Sequence, residues 1–135
     1  MLHRDYLLEI ISRFVASVSV SLRRALLERD LDGAKEVEDS VAALLDLDPN
    51  TAMGLSPDSL VTMLLLSGIG DSLASYVAYA LDKVGDAYDD AGDTQMAALR
   101  WDQAEAVAES FDCDPSEVPP EFAALDVELS AADEA

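Results

Sequence analysis

The sequence predicts an all-α protein, a compact bundle of about five helices. Apolar residues recur three and four positions apart over most of the chain, which is the period of an amphipathic helix. Turns rich in Gly, Pro and Asp divide this pattern into segments of helical length. Half of the 135 residues are hydrophobic, and a chain of this size buries about two thirds of its unfolded surface, so a core of its own is expected.

The first predicted helix runs from Asp5 to about Arg29, without an internal Gly or Pro. Its polar residues mostly fall outside one apolar stripe, so the helix is long and amphipathic. That stripe consists of Leu7, Ile10, Ile11, Phe14, Val18, Leu22, Ala25 and Leu26.

For the second helix, Asp32 is the predicted N-cap. Pro49 ends this helix, because proline disfavours a helical conformation in the residue before it. The predicted inward face consists of Ala34, Val37, Val41, Leu44 and Leu45.

The third helix has a clear start, with Ser56 as the cap, Pro57 in the first turn and an acid, Asp58, near the positive end of the helix dipole. Its body, residues 60–66, is apolar on nearly all sides, so we expect it to be the most buried element. Gly68 and Gly70 follow its end.

The fourth helix begins after Asp71 and runs to about Ala91, where Gly92 is expected as a left-handed cap. Asp93 then caps the fifth helix. The inward faces are predicted as Leu73, Val77, Leu81, Val84 and Tyr88 for the fourth helix and Ala97, Trp101, Ala104 and Ala108 for the fifth.

These two helices contain the pattern Leu81-x2-Val84-Gly85-x2-Tyr88-x3-Gly92-x4-Ala97-x3-Trp101-x2-Ala104. The pattern resembles a tetratricopeptide repeat, a helix–turn–helix unit of about 34 residues. The resemblance implies close approach of the helices at Gly85 and Ala97. The proline that usually closes such a repeat is replaced by Glu109, and the first two helices echo the pattern only faintly, so no tandem array is expected.

The whole chain is also similar to a family of small bacterial proteins of unknown function. The segments that carry this resemblance are RDYLLEIISRFV, LSPDSLVTMLLLSG and GDAYDDAGDTQMAALRWDQA. It supports the architecture and implies no activity. We expect residues 1–118 to form a single all-α domain that includes the tetratricopeptide-like hairpin 71–111. Residues 119–135 are predicted to form an acidic tail, ordered near Phe122 and Leu125 and mobile beyond them.

The charge is strongly asymmetric. The chain carries 28 acidic and eight basic side chains, with a net charge of −20. Residues 1–35 have a net charge of +1, and residues 36–135 have a net charge of −21. Such a surface repels phosphate backbones and anionic lipid, so neither a nucleic acid nor a membrane is expected as a partner. It serves either as a solubilising shell or as a docking face for a basic partner.

Further features predict a cytoplasmic protein. No export signal is visible, and the apolar run 60–66 is far shorter than the roughly 20 residues of a membrane span. The single cysteine, Cys113, cannot form an intrachain disulfide. No catalytic constellation, cofactor motif or metal-ligand spacing stands out, so we expect neither an enzyme nor a bound cofactor or metal.

The leading hypothesis is an intracellular protein-interaction or scaffold module whose partner is another protein, a basic or apolar helix. The predicted interaction surface consists of Arg13, Arg23, Arg24, Lys83, Asp86, Asp89, Asp90 and Arg100. One alternative is a metal-dependent all-α nucleotide hydrolase that uses Asp86, Asp89 and Asp90, although the E-x-x-E and E-x-x-D pair of the enzymes it would resemble does not occur in that form. Another alternative is a structural homodimer joined through the first helix.

Overall fold

The computed structural model describes residues 2–68, 70–114 and 116–134, and the side chains of 5–68, 70–114 and 116–132. The described residues contain no β-strand, which confirms the all-α class, and they form seven α-helices where about five were predicted. In chain order the elements are α1 (Leu2–Leu22), a π-helical turn (Arg23–Leu27), α2 (Leu31–Leu44), α3 (Pro49–Met53), α4 (Pro57–Ser67), α5 (Gly70–Asp90), α6 (Thr94–Ser110), a 3₁₀ turn (Pro120–Phe122) and α7 (Ala123–Glu134).

The N-cap of helix α2 lies two residues earlier in the chain than predicted. The side chain of Asp30, not Asp32, is the N-cap, and it accepts a hydrogen bond of 3.0 Å from the backbone N–H of Asp32. The backbone of Asp30 is extended, as a capping residue requires, whereas Asp32 already lies in the first turn. Either aspartate could serve as the N-cap as far as the sequence shows. The backbone conformation decides which of them does.

Pro49 does not end α2, contrary to the prediction: α2 ends at Leu44, and Pro49 begins an additional helix, α3. The carboxylate of Asp48 accepts hydrogen bonds from the backbone N–H groups of Asn50 and Thr51, at 3.1 and 3.3 Å. Proline suits the first turn of a helix, because the backbone N–H that it lacks would have no intrahelical partner at that position. Pro49 is therefore the start of a helix and not the end of one.

Helix α4 is not the most buried element, contrary to the prediction. Leu60, Val61 and Leu64 are buried against the bundle, but Leu65 and Leu66 are exposed. The helix packs through one face against α5 and α6, and no described element covers its outer face. An apolar composition on all sides therefore did not imply burial on all sides.

Helix α5 is the most extensively buried helix and lies at the centre of the bundle, packed against α1, α2, α4 and α6. All five predicted inward-facing residues are buried: Leu73, Val77, Leu81, Val84 and Tyr88. Helix α6 comes close to α5 at Gly85, where an added Cβ would lie 2.4 Å from the indole of Trp101. A side chain at this position would separate the two helices.

The link between α5 and α6 follows the prediction. Gly92 has a φ angle of +86°, the left-handed conformation that favours glycine, and Asp93 accepts a hydrogen bond from the backbone N–H of Met96. On α6, Ala97, Ala104 and Ala108 are buried as expected. Trp101, the fourth residue of the predicted face, is only partly buried.

The C-terminal segment, predicted as an acidic tail with at most partial order, forms helix α7 over Ala123–Glu134. Phe122, Leu125 and Leu129 are buried and belong to the hydrophobic core. The ring of Phe122 stacks on Tyr79 of α5, with ring centroids 4.7 Å apart. The apolar residues of this short segment recur at helical spacing, and they complete the core where it meets α5.

None of the helices in the described part of the chain is both long and apolar enough to cross a lipid bilayer.

Candidate interaction surfaces

A cleft of about 240 Å³ lies where the second half of α5 faces α7 and the π-helical turn. We call it the acidic cleft. It is lined by Leu26, Lys83, Asp86, Asp89, Asp90, Leu129, Ser130 and Ala132. Residues 83, 86 and 90 share one face of α5 because they are three and four positions apart. The structure thus brings together four of the residues predicted to form an interaction surface.

Lys83 is the cationic side chain in the acidic cleft, and it is already engaged. Its Nζ lies 3.7 Å from Oδ2 of Asp86 and 3.7 Å from Oδ1 of Asp126 on α7. It also lies 5.5 Å from the ring centroid of Tyr79. Lys83 is therefore shared between two carboxylates and does not neutralise Asp89 and Asp90.

The ionised form of the carboxylates along this part of α5 is disfavoured. Burial, and then the charge of Asp82, raises the pKa of Asp86 above its ordinary value of 3.8. Burial also raises the pKa of Asp82. A raised carboxyl pKa means that the folded protein disfavours the ionised form, so an external cation placed beside Asp86 would relieve that cost.

The helix dipole adds to this potential. Asp89 and Asp90 are the exposed last two residues of α5, whose C-terminal end carries the partial negative charge of the helix dipole. Cations are favoured at such an end, and carboxylates are not. Helix dipole and side chains therefore make this end of α5 a strongly negative surface.

The basic residues predicted to form an interaction surface on the first helix are paired within the chain. Arg13 binds Glu9 one turn away, and Arg23 lies 2.9 Å from Glu128 of α7. Arg24 bridges to Asp30 and Glu36. Among the described basic side chains, Arg29 and Lys35 are the two without an ion pair to another described residue. The free charge of the surface is therefore overwhelmingly acidic.

Arg100 does not lie on a surface: its side chain is 2% exposed. Its Nε donates to Oε2 of Glu38 at 2.7 Å, and its Nη1 donates to the Met53 carbonyl and to Gln103, both at 2.9 Å. The guanidinium thus ties α6 to α2 and α3. The prediction that Arg100 belongs to an interaction surface is corrected by this burial.

Tyr88 completes that network by donating its hydroxyl to Glu38, with distances of 3.0 and 3.1 Å to the two carboxylate oxygens. Burial, followed by the charge of Glu38, raises the pKa of Tyr88 to about 12, so the phenol remains a donor at neutral pH. Sequence reasoning missed this network. A signal existed, because Glu38 and Arg100 each fall within the apolar stripe of their helix, four residues after Ala34 and three after Ala97.

A second open surface, which we call the apolar groove, lies between α1, the end of α2 and the end of α4. Its volume is about 550 Å³. It is lined by Tyr6, Ile10, Arg13, Phe14, Ser17, Ser40, Ala43, Leu44 and Ser67. Arg13 is the one charged residue of that lining, and no carboxylate contributes to it.

The described part of the chain provides no set of metal ligands for the hydrolase hypothesis. Among those residues, no group of three or more His, Cys, Asp or Glu side chains is placed to hold a metal ion. Asp86 instead accepts a hydrogen bond of 3.1 Å from the Trp101 indole N–H. Cys113 is a free thiol whose pKa is raised by burial and by the neighbouring Asp112, which lowers its nucleophilic thiolate fraction at neutral pH.

Comparison of the chain with protein-family models, with curated proteins and with solved structures finds no match.

Proposed function

We propose that this protein is an interaction module whose acidic cleft binds a basic segment of another protein. The observation that carries the proposal is the cleft at the end of α5, in which Asp86, Asp89 and Asp90 lie beside the apolar side chains of Leu26 and Ala132. A cluster of acids on a flat surface would only attract cations. A cleft also provides contact area for the apolar part of a lysine or arginine side chain.

The chemistry of the partner follows from the charges of the acidic cleft. Lys83 is held by Asp86 and Asp126, so it leaves Asp89 and Asp90 as acceptors for an incoming ammonium or guanidinium group. Leu26, which is only partly buried, supplies an apolar contact beside these acceptors. The segment that fits is a helix or extended strand with two or three basic residues next to an apolar one.

The net charge of −20 also favours a basic partner. The described ion pairs engage seven carboxylates, out of 28 in the chain. Long-range attraction then raises the association rate of a basic partner, and salt reduces that rate. A cytoplasmic location and a tetratricopeptide-like arrangement of α5 and α6 belong to this proposal. The close contact of Gly85 with Trp101 supports that arrangement.

The test compares three forms of the full-length protein in affinity capture from lysate of the source organism, followed by mass spectrometry. The cleft variant is Asp86→Asn, Asp89→Asn and Asp90→Asn. The matched control changes the same number of charges on the exposed face of α6, as Asp102→Asn, Glu105→Gln and Glu109→Gln. Asn at position 86 retains an acceptor for the Trp101 indole.

We expect the wild type and the α6 control to capture the same protein with an exposed basic segment, and the cleft variant to lose it. A synthetic peptide of that segment should then bind the wild type at least ten times more tightly than the cleft variant, a difference of about 1.4 kcal/mol. Equal capture by all three forms would contradict the proposal. Equal loss from both variants would show that only total charge matters and that the cleft is not the site.

A further inference from the structure

A cavity of about 500 Å³ lies between α2, α3 and α6, beside the end of α5. We call it the α2–α3–α6 cavity. Its charged lining consists of two cations and two carboxylates, Lys35, Arg100, Glu38 and Asp39. In the acidic cleft, by contrast, three carboxylates meet one cation. This cavity therefore presents balanced charge in a protein whose net charge is −20.

Arg100 keeps one guanidinium nitrogen available to a ligand in this cavity. Its hydrogen bonds to described residues use Nε and Nη1, and Nη2 has none. Every fully buried side-chain nitrogen or oxygen of the described residues has a hydrogen bond, so Nη2 is not fully buried. It faces the open space that Arg100 lines, although the side chain is only 2% exposed. A guanidinium held in place by its other donors is suited to bind a carboxylate there.

Two further charges of the lining are free. Lys35 and Asp39 lie one turn apart on α2, both are exposed, and neither has an ion pair to another described residue. Glu38 differs from them, because Arg100 and Tyr88 already donate to its carboxylate. The cavity thus offers a ligand one ammonium group, one carboxylate and the Nη2 of Arg100.

The remaining wall of the cavity is largely apolar. Met53 is buried, and Met96 and Leu99 are partly buried. Methionine side chains adapt their shape to what packs against them. An apolar lining with a few convergent polar groups, in a cavity of about 300–1,000 Å³, is typical of a site for a small molecule.

We infer that the α2–α3–α6 cavity binds a small apolar α-amino acid as its zwitterion. The carboxylate of the ligand accepts from Nη2 of Arg100, with Lys35 as a second cation, and its ammonium group pairs with Asp39. Its side chain packs against Met53 and Met96. At neutral pH a free amino acid carries both charges, so the negative field of the protein does not oppose its approach as it would oppose a simple carboxylate.

This site is separate from the acidic cleft, with which it shares no lining residue. The acidic cleft is proposed to take a basic protein segment, and this cavity takes a small molecule without net charge. Failure of one proposal therefore leaves the other standing.

The experiment is a ¹H–¹⁵N NMR titration of the full chain with L-leucine, L-methionine and L-phenylalanine. Two analogues of the tightest binder lack either the ammonium group or the carboxylate; for leucine these are 4-methylpentanoate and 3-methylbutylamine. The cavity variant is Lys35→Glu with Asn50→Glu, at exposed positions of the lining. The control variant, Arg29→Glu with Val127→Glu, makes the same change of charge at exposed positions outside the cavity. Circular dichroism on each variant verifies the helical fold.

We expect at least one of the amino acids to shift the amide signals of residues 50–54 and 96–100, with a dissociation constant of about 1 mM or lower. Both analogues and the cavity variant should weaken binding at least about tenfold, as expected for the loss of contacts between charged groups, and the control should bind like the wild type.

Absence of binding by the wild type at about 10 mM of each amino acid would overturn the inference. Shifts confined to residues 83–90 would also overturn it, because the acidic cleft would then be binding the ammonium group. Equal binding by the folded cavity variant, or by the analogue without the ammonium group, would do the same.

Discussion

Arg100 of α6 and Glu38 of α2 form an ion pair inside the protein, with 2.7 Å between Nε and Oε2. Both side chains are almost completely buried, and each has further partners: Gln103 and the Met53 carbonyl for the guanidinium, Tyr88 for the carboxylate. No buried side-chain nitrogen or oxygen of the described residues lacks a hydrogen bond. The pair therefore fixes the position of α6 relative to α2 and α3.

Removing one member of this pair should destabilise the protein strongly. Arg100→Met leaves the buried Glu38 carboxylate with Tyr88 as its remaining donor, and we expect a loss of about 3–5 kcal/mol in the free energy of unfolding. Urea denaturation followed by circular dichroism measures it. The double variant Glu38→Met, Arg100→Met removes both charges and should lose less than Arg100→Met alone. A single-variant loss below about 1 kcal/mol would mean that the pair behaves like a surface pair.

Because Gly85 contacts Trp101, a single methyl group added at position 85 should destabilise the protein. Gly85→Ala places a Cβ 2.4 Å from the indole, so α5 and α6 must separate or Trp101 must move. We expect a loss of about 1–3 kcal/mol in unfolding free energy, from overpacking. In the background of Trp101→Ala the same substitution should cost much less, because the indole is gone. An equal cost in both backgrounds would assign the effect to something other than this contact.

Helix α7 should contribute to global stability, because its residues complete the core. Phe122 is fully buried and stacks on Tyr79, so Phe122→Ala is expected to cost about 3–5 kcal/mol. Thermal unfolding monitored by calorimetry provides the measurement. Val127→Ala, at an exposed position on the same helix, should change stability by less than about 0.5 kcal/mol. If Phe122→Ala is equally neutral, α7 does not belong to the cooperative unit.

The carboxylates of α5 give a pH dependence with a defined sign. The pKa values of Asp82 and Asp86 are raised above 3.8, so the folded protein binds these protons more tightly than the unfolded chain does. Their contribution favours folding below about pH 3.8 and is lost as the pH rises through their folded pKa values. The variant Asp82→Asn with Asp86→Asn should therefore be more stable than the wild type at pH 7, and this advantage should shrink toward pH 4.

The measurement for that variant is urea denaturation at both pH values, with Asp102→Asn and Glu109→Gln as the control of equal charge. These control residues are exposed on α6. A stability difference between variant and wild type that is the same at pH 7 and pH 4 would show that the raised pKa values are not the cause.

Salt should stabilise the folded protein. With a net charge of −20, the compact state contains strong repulsion, and the Debye length shortens from about 30 Å at 0.01 M salt to about 8 Å at 0.15 M. The urea midpoint is therefore expected to increase with NaCl concentration. The triple variant Asp86→Asn, Asp89→Asn, Asp90→Asn should show a smaller increase. A midpoint that falls with added NaCl would indicate that the ion pairs outweigh the repulsion.

Much of the fold could be predicted from the sequence, because the signals involved are local. The buried face of α5 follows from a 3.6-residue period, and the start of α4 follows from Ser56 and Pro57. The left-handed Gly92 and the capping Asp93 are set within a few residues of each other. Each of these features depends on backbone preferences or on which face is apolar, and both can be found in the order of the residues.

The candidate surfaces could be predicted only in part. The spacing of Lys83, Asp86 and Asp90 places them on one face of α5, but the cleft exists because α7 packs opposite them. The apolar groove could not be anticipated, since it depends on where α1, α2 and α4 leave space between them. Arg100 was assigned to the surface because charge alone indicates exposure, whereas its partner lies 62 positions away on another helix.

The sequence by itself determined the helical class, most helix boundaries and the excess of carboxylates, since these depend on composition and on neighbouring residues. The tertiary structure decided which charges are neutralised. It pairs Arg100 with Glu38 and Lys83 with Asp126, and it leaves Tyr6 and Leu66 exposed. The physical reason is that burial and electrostatic energy depend on distances in space. Those distances are set by how the helices pack and not by separation along the chain.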